Sequence, residues 1–123
     1  MQIIATILVA LVAIEHLYIL WIEMFAWTTV GRKTFKAFPA DLFEKTTALA
    51  ANQGLYNGFL AAGLIWSLFI TEGHWGCYIS TFFLCCVIVA GVFGAVTASK
   101  RIFVVQALPA LVALVVVWIH ALS

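Results

Sequence analysis

Glu15, His16 and Glu23 lie in one apolar run, and each can take up or release a proton. His16 and Glu23 are two helical turns apart and share a face. An imidazole and a carboxylate so placed have the make-up of a general acid and base. Trp27 continues that stripe. Glu15 sits about 100° round the helix, with Tyr18 beside it one turn on. A second run carries Asn52, Gln53, Tyr56 and Asn57, which cover an arc of about 140° on a helix. Gly54, Gly58 and Ala61 take the opposite side. A later run adds Gln106, then Pro109, which cannot donate to the Val105 carbonyl and so frees an acceptor beside Gln106. Amides and phenols bond polar ligands, and a carboxyl within a bilayer can trade a proton for a cation. The candidate ligand-binding residues are therefore Glu15, His16, Tyr18, Glu23, Trp27, Asn52, Gln53, Tyr56, Asn57 and Gln106.

Four apolar segments, roughly residues 2–27, 47–70, 76–98 and 102–122, must position these groups. About 20 apolar residues cross a bilayer as a helix, so each segment is long enough. Short connections make consecutive helices antiparallel neighbours. The fold expected is all-α: an integral membrane four-transmembrane-helix bundle, up-down-up-down, forming a single domain over 1–123. Arg32, Lys33, Lys36 and Lys45 lie in or beside the first connection, and Lys100 and Arg101 lie in the third. The second connection, 71–75, has no Lys or Arg. The positive-inside rule then puts connections one and three in the cytoplasm and both termini outside. That fixes depth. Glu23, Asn52, Gln53 and Gln106 fall about a turn from the cytoplasmic ends. His16, Tyr56 and Asn57 lie deeper, and Glu15 is near mid-span. Lipid offers no hydrogen-bond partner, so helix one is expected to turn His16 and Glu23 toward the Asn52, Gln53, Tyr56 and Asn57 arc of helix two and Gln106 of helix four, with Glu23 nearest Asn52 and Gln53. Thr97 and Ser99 end the third segment at the cytoplasmic level, while the outer halves of segments two to four read as almost wholly apolar.

Composition narrows the class. The chain is 66% hydrophobic and 9% charged, against about 25% charged in an average soluble domain. Six basic residues beside a membrane are explained by orientation, so nucleic acid is not an expected partner. The first segment lacks a basic start and a small-residue cleavage site, and its apolar length exceeds that of a signal peptide. It reads as a retained span. Cys77, Cys85 and Cys86 have no metal-ligand spacing. Cys85 and Cys86 are helical neighbours pointing apart, which disfavours a disulfide, so the three read as small apolar packing residues. No metal, cofactor or catalytic nucleophile is expected.

Two further patterns concern packing. In the first connection Phe35, Phe38, Leu42 and Phe43 alternate with Lys36, Asp41, Glu44 and Lys45, a mixture suited to the headgroup layer. Pro39 breaks it, and Asp41 with Glu44 reads as a capping box for the second helix. Gly54, Gly58 and Ala62, and then Ala90 with Gly94 and Gly91 with Ala95, form small-residue faces that let helices approach closely. They serve either the bundle or a homo-oligomer. Glu72 and His74 read as loop polarity and His120 as interfacial.

Residues 15–25 (EHLYILWIEMF), 50–63 (AANQGLYNGFLAAG) and 105–110 (VQALPA) resemble a widespread bacterial family of unknown function, numbered 1304, of small four-helix membrane proteins. The likeness covers nearly the whole chain, and Asn-Gln-Gly-Leu-Tyr-Asn-Gly is its most specific part. It implies the four-span fold and carries no activity with it. Small multidrug resistance transporters are similar in length and span number, with an essential Glu in mid-helix one. Glu15 matches that Glu in position, but the six-to-none charge bias does not match their weak bias.

Three functions stay open. The first is binding or transport of a small, cationic or amphipathic molecule through a polar pocket open to the cytoplasmic half of a bacterial inner membrane, with proton coupling at Glu15 or Glu23. The second is an accessory or assembly subunit whose polar residues only tie helices together, with Glu23 reaching out to the headgroups. The third is a membrane enzyme on a lipid-soluble substrate, with His16 and Glu23 as acid and base. Lipid is a partner in all three.

Overall fold

The computed structural model describes residues 2–123, and no strand occurs among them. The elements are α1 (Gln2–Phe25), α2 (Val30–Thr34), α3 (Thr47–Phe69), α4 (Trp75–Thr97) and α5 (Lys100–Leu122). Each long helix ends within two residues of the boundary read from its apolar run. Helices α1, α4 and α5 are long and apolar enough to cross a membrane. Helix α3 equals α4 in length but is not among these three. Asn52, Gln53 and Asn57 dilute its apolar character.

The chain divides into two compact units, one holding the residues up to Ile14 with Leu60–Ser123, the other Glu15–Phe59. In the first, Val9, Val12, Leu64, Leu84, Val87, Ala110 and Val117 form a buried apolar core. Small residues set its closest approaches. A Cβ on Gly91 would fall 2.8 Å from the Ala107 Cβ and 2.9 Å from its backbone nitrogen, so α4 and α5 touch almost backbone to backbone there. Residues Phe103–Ala107 of α5 form a wider π turn, in which the Leu108 N–H donates to the Phe103 carbonyl. The cause lies two residues ahead of that turn: Pro109 has no N–H, and the ladder shifts register before it. Ser99 caps α5, its hydroxyl accepting from the Arg101 N–H at 3.3 Å.

In the second unit the connection between α1 and α3 is ordered round Trp27. Its ring lies against Phe35, Phe38 and Phe43, with centroids 5.5, 5.6 and 4.9 Å away. Its indole N–H donates to the Thr46 hydroxyl at 3.0 Å. Arg32 stands over the Phe43 ring, donates to the Thr28 and Ala40 carbonyls, and approaches Glu44 at 3.7 Å. The expected capping box is not formed. Asp41 falls inside a one-turn 3-10 helix (Ala40–Leu42) whose N-cap is Pro39, and Glu44 opens a second such turn (Glu44–Thr46). Thr46 and Thr47 instead return their hydroxyl protons to carbonyls at Leu42 to Glu44. The chain enters α3 by successive tight turns.

Candidate functional site

Helices α1 and α3 meet within the second unit through the small-residue face of α3. A Cβ on Gly54 would lie 2.7 Å from Met24 Cγ, 3.0 Å from Glu23 Cβ and 3.2 Å from the Leu20 carbonyl oxygen. A Cβ on Gly58 would lie 2.6 Å from Leu20 Cδ1. This corrects the expectation that the polar arc of α3 faces α1. Asn52 and Gln53 are exposed, and Tyr56 is 53% exposed with its ring 6.0 Å from Phe59. The arc lost because glycine lets backbones approach and gain van der Waals contact, whereas amides hold them apart.

One member of the arc reaches α1. Asn57 lies at its edge, about 60° round the helix from Gly54. Its amide donates to Glu23 Oε1 at 2.6 Å and to the Gln53 carbonyl at 3.2 Å. Glu23 is only 8% exposed. The expected neighbours of Glu23 were Asn52 and Gln53, and the partner is instead one turn deeper. A carboxylate offers about four acceptor positions, so one amide proton does not exhaust it. Among the described residues the ion pair within 4 Å joins Arg32 to Glu44, and the partner of Glu23 is a neutral amide.

The other candidates divide clearly. His16 is 1% exposed and is not a free side chain. Glu15 is half-buried. Tyr18 is 52% exposed, with its ring 5.9 Å from Trp21. Trp27 is half-buried and packs into the connection, its ring against Phe43 and its N–H bonded to Thr46. Gln106 belongs to the first unit, half-buried in the π turn of α5.

A second concentration of polar groups escaped the sequence reading. Ser67 and Ser80 are buried in the first unit, and their hydroxyls donate to the carbonyls of Leu64 at 2.6 Å and Cys77 at 3.0 Å. They border a cavity of about 320 Å³ with Thr6, His74, Cys77 and His120. The segments carrying them were read as apolar, and the two histidines as loop and interface. The available signal was the return of single polar residues at helix ends that converge: the start of α1, the end of α3, the start of α4 and the end of α5.

Apolar helices of membrane length and a buried carboxyl with a neutral partner define the class, an all-helical membrane-associated protein. The family model described as "Protein of unknown function (DUF1304)" matches residues 10–118. The "Uncharacterized protein YpaA" of Lactococcus lactis subsp. lactis (strain IL1403) is 33% identical over 119 residues, covering 94% of this chain and 97% of that protein. The chain belongs to the DUF1304 family. No solved structure matches it.

Proposed function

We propose that the chain spans a bacterial cytoplasmic membrane four times, with both termini outside, and binds a small cationic or amphipathic molecule at Glu23 for transport. The length of α3 supports the fourth span, since its 23 residues reach about 35 Å at 1.5 Å per residue. The observation that carries the binding reading is the Glu23–Asn57 pair: a carboxyl 8% exposed, held at 2.6 Å by a neutral amide. Isolated charge in a low-dielectric site is expensive unless a proton or a cation neutralises it. A cationic ligand meets that need, and exchange with a proton couples the two. Mass spectrometry of small molecules that copurify with the protein tests this. A cationic species bound to the natural protein should fall at least tenfold in Glu23→Gln, equivalent to about 1.4 kcal/mol. The same molecules at the same level in both proteins would refute it.

The accessory-subunit reading has its own support. Gly54 and Gly58 pack the helices at close range, and the Glu23–Asn57 bond adds a tie at the same place. On that reading Glu23→Gln loses stability and no ligand. Thermal unfolding of the same two preparations separates the readings.

A further inference from the structure

The cavity in the first unit has a composition that selects its occupant. It lies where α1 begins, α3 ends, α4 begins and α5 ends. Its volume of about 320 Å³ falls at the lower end of the range for small-molecule sites, about 300–1,000 Å³. No Asp, Glu, Lys or Arg lines it among the described residues, so a permanently charged guest would find no carboxylate, ammonium or guanidinium counter-ion there. The polar groups present both donate, from Gln2, Thr6 and Thr71, and accept. The Ser67 and Ser80 hydroxyl protons are committed to the Leu64 and Cys77 carbonyls, which leaves their oxygen lone pairs to the cavity. His120 borders the cavity, and its buried Nδ1 has no hydrogen-bond partner among the described residues. Buried polar atoms are nearly always paired, and an unpaired one costs about 1–3 kcal/mol. The site therefore suits a guest with several hydroxyls, each of which can donate and accept.

We propose that this cavity binds a small uncharged polyhydroxyl compound, with the Ser67 and Ser80 oxygens and the His120 side chain as its contacts. Glu23 takes no part, so this site stands or falls apart from the cation site. With the orientation set by the charged connections, its mouth opens away from the cytoplasm.

Cys77 lines the cavity and is half-buried, which supplies a native reporter. The experiment uses the full chain in detergent with Cys85→Ala and Cys86→Ala. The rate of Cys77 modification by methyl methanethiosulfonate is read by intact mass, relative to free cysteine in the same solution. Glycerol, erythritol and myo-inositol are the probes, with sodium sulfate and tetramethylammonium chloride as charged comparisons. At least one polyol should slow Cys77 at least fivefold and saturably, and neither salt should. Ser80→Ala and His120→Phe should each raise the half-protecting concentration at least fivefold. Ser80→Ala removes one hydroxyl and keeps the helix, so it decides the matter if His120→Phe fails to fold. A Cys77 that does not react, protection by no polyol, equal protection by either salt, or protection that survives Ser80→Ala would each overturn the proposal. Protection by no polyol would leave a cavity that holds water alone.

Discussion

Replacing Gly54 or Gly58 by alanine tests which face of α3 meets α1. Alanine in a helix interior is favoured over glycine by about 1 kcal/mol, so an unobstructed change should stabilise. At Gly58 the new Cβ meets only the Leu20 side chain, most closely Cδ1 at 2.6 Å, the far end of a group that can rotate away. Gly58→Ala should be neutral or gain up to about 1 kcal/mol. At Gly54 the new Cβ meets Glu23 Cβ at 3.0 Å and the Leu20 carbonyl at 3.2 Å, both fixed to the α1 backbone. Ordinary contact begins at 3.4 Å, so the helices must part by several tenths of an ångström. Overpacking of this kind costs about 1–3 kcal/mol, which leaves Gly54→Ala destabilised by about 0–2 kcal/mol after the propensity gain. At the middle of these ranges the two variants differ by about 1.5 kcal/mol, roughly 6 °C in Tm on the scale of soluble domains. Thermal unfolding in one detergent, followed by tryptophan fluorescence, measures this. Leu20→Ala should rescue Gly58→Leu and fail to rescue Gly54→Leu, because one obstruction is a side chain and the other partly backbone. A Gly54→Ala protein as stable as Gly58→Ala would refute the packing, and with it the placing of Asn57 beside Glu23.

Other consequences are simpler to state. Gly91→Ala should lose about 1–3 kcal/mol, because Ala107 presents backbone nitrogen at 2.9 Å and Cα at 3.1 Å; an unchanged Tm would count against the close α4–α5 crossing. Trp27→Phe keeps the aromatic cluster and loses the bond to Thr46, and should cost about 1 kcal/mol; Thr46→Val, which also loses the bond to the Leu42 carbonyl, should cost about 1 kcal/mol less in that background than in the natural protein, and full additivity would show that the Trp27–Thr46 bond does not form. In a protein without its native cysteines, Glu72→Cys should react with an impermeant reagent added outside intact cells and Lys36→Cys should not. Equal labelling at both would mean dual insertion and end the single-orientation reading.

Helix positions were legible in the sequence because an apolar run of membrane length has few other solutions, and the observed ends agree closely with it. Facing was less legible. Asn52, Gln53, Tyr56 and Asn57 form a coherent arc, and in a uniform apolar medium that arc would turn inward. Asn52 and Gln53, however, lie within about two turns of the start of α3 at Thr47, where, in the four-span arrangement we propose, headgroups and water can serve them. Only Asn57, deeper and beside the glycine face, had reason to turn. The serine cavity was hidden for another reason: a helical serine can satisfy its proton on its own backbone, as Ser67 and Ser80 do, and so leaves little trace in a hydropathy pattern.

The same reasoning about depth bears on Glu23. It lies two residues before the end of α1 at Phe25, well within reach of the headgroups. A carboxyl there with no task beyond solvation would extend outward. Glu23 is instead buried against Asn57, and Gly54 brings α3 near enough for that amide to reach it. Burial where solvation is at hand costs free energy that a packing role does not require, since Gly54 and Gly58 already bring the helices together. Leucine at position 23 would pack the same contact without that cost. A carboxyl kept there at a loss fits a group that exchanges its partner, and this favours the binding reading over the structural one.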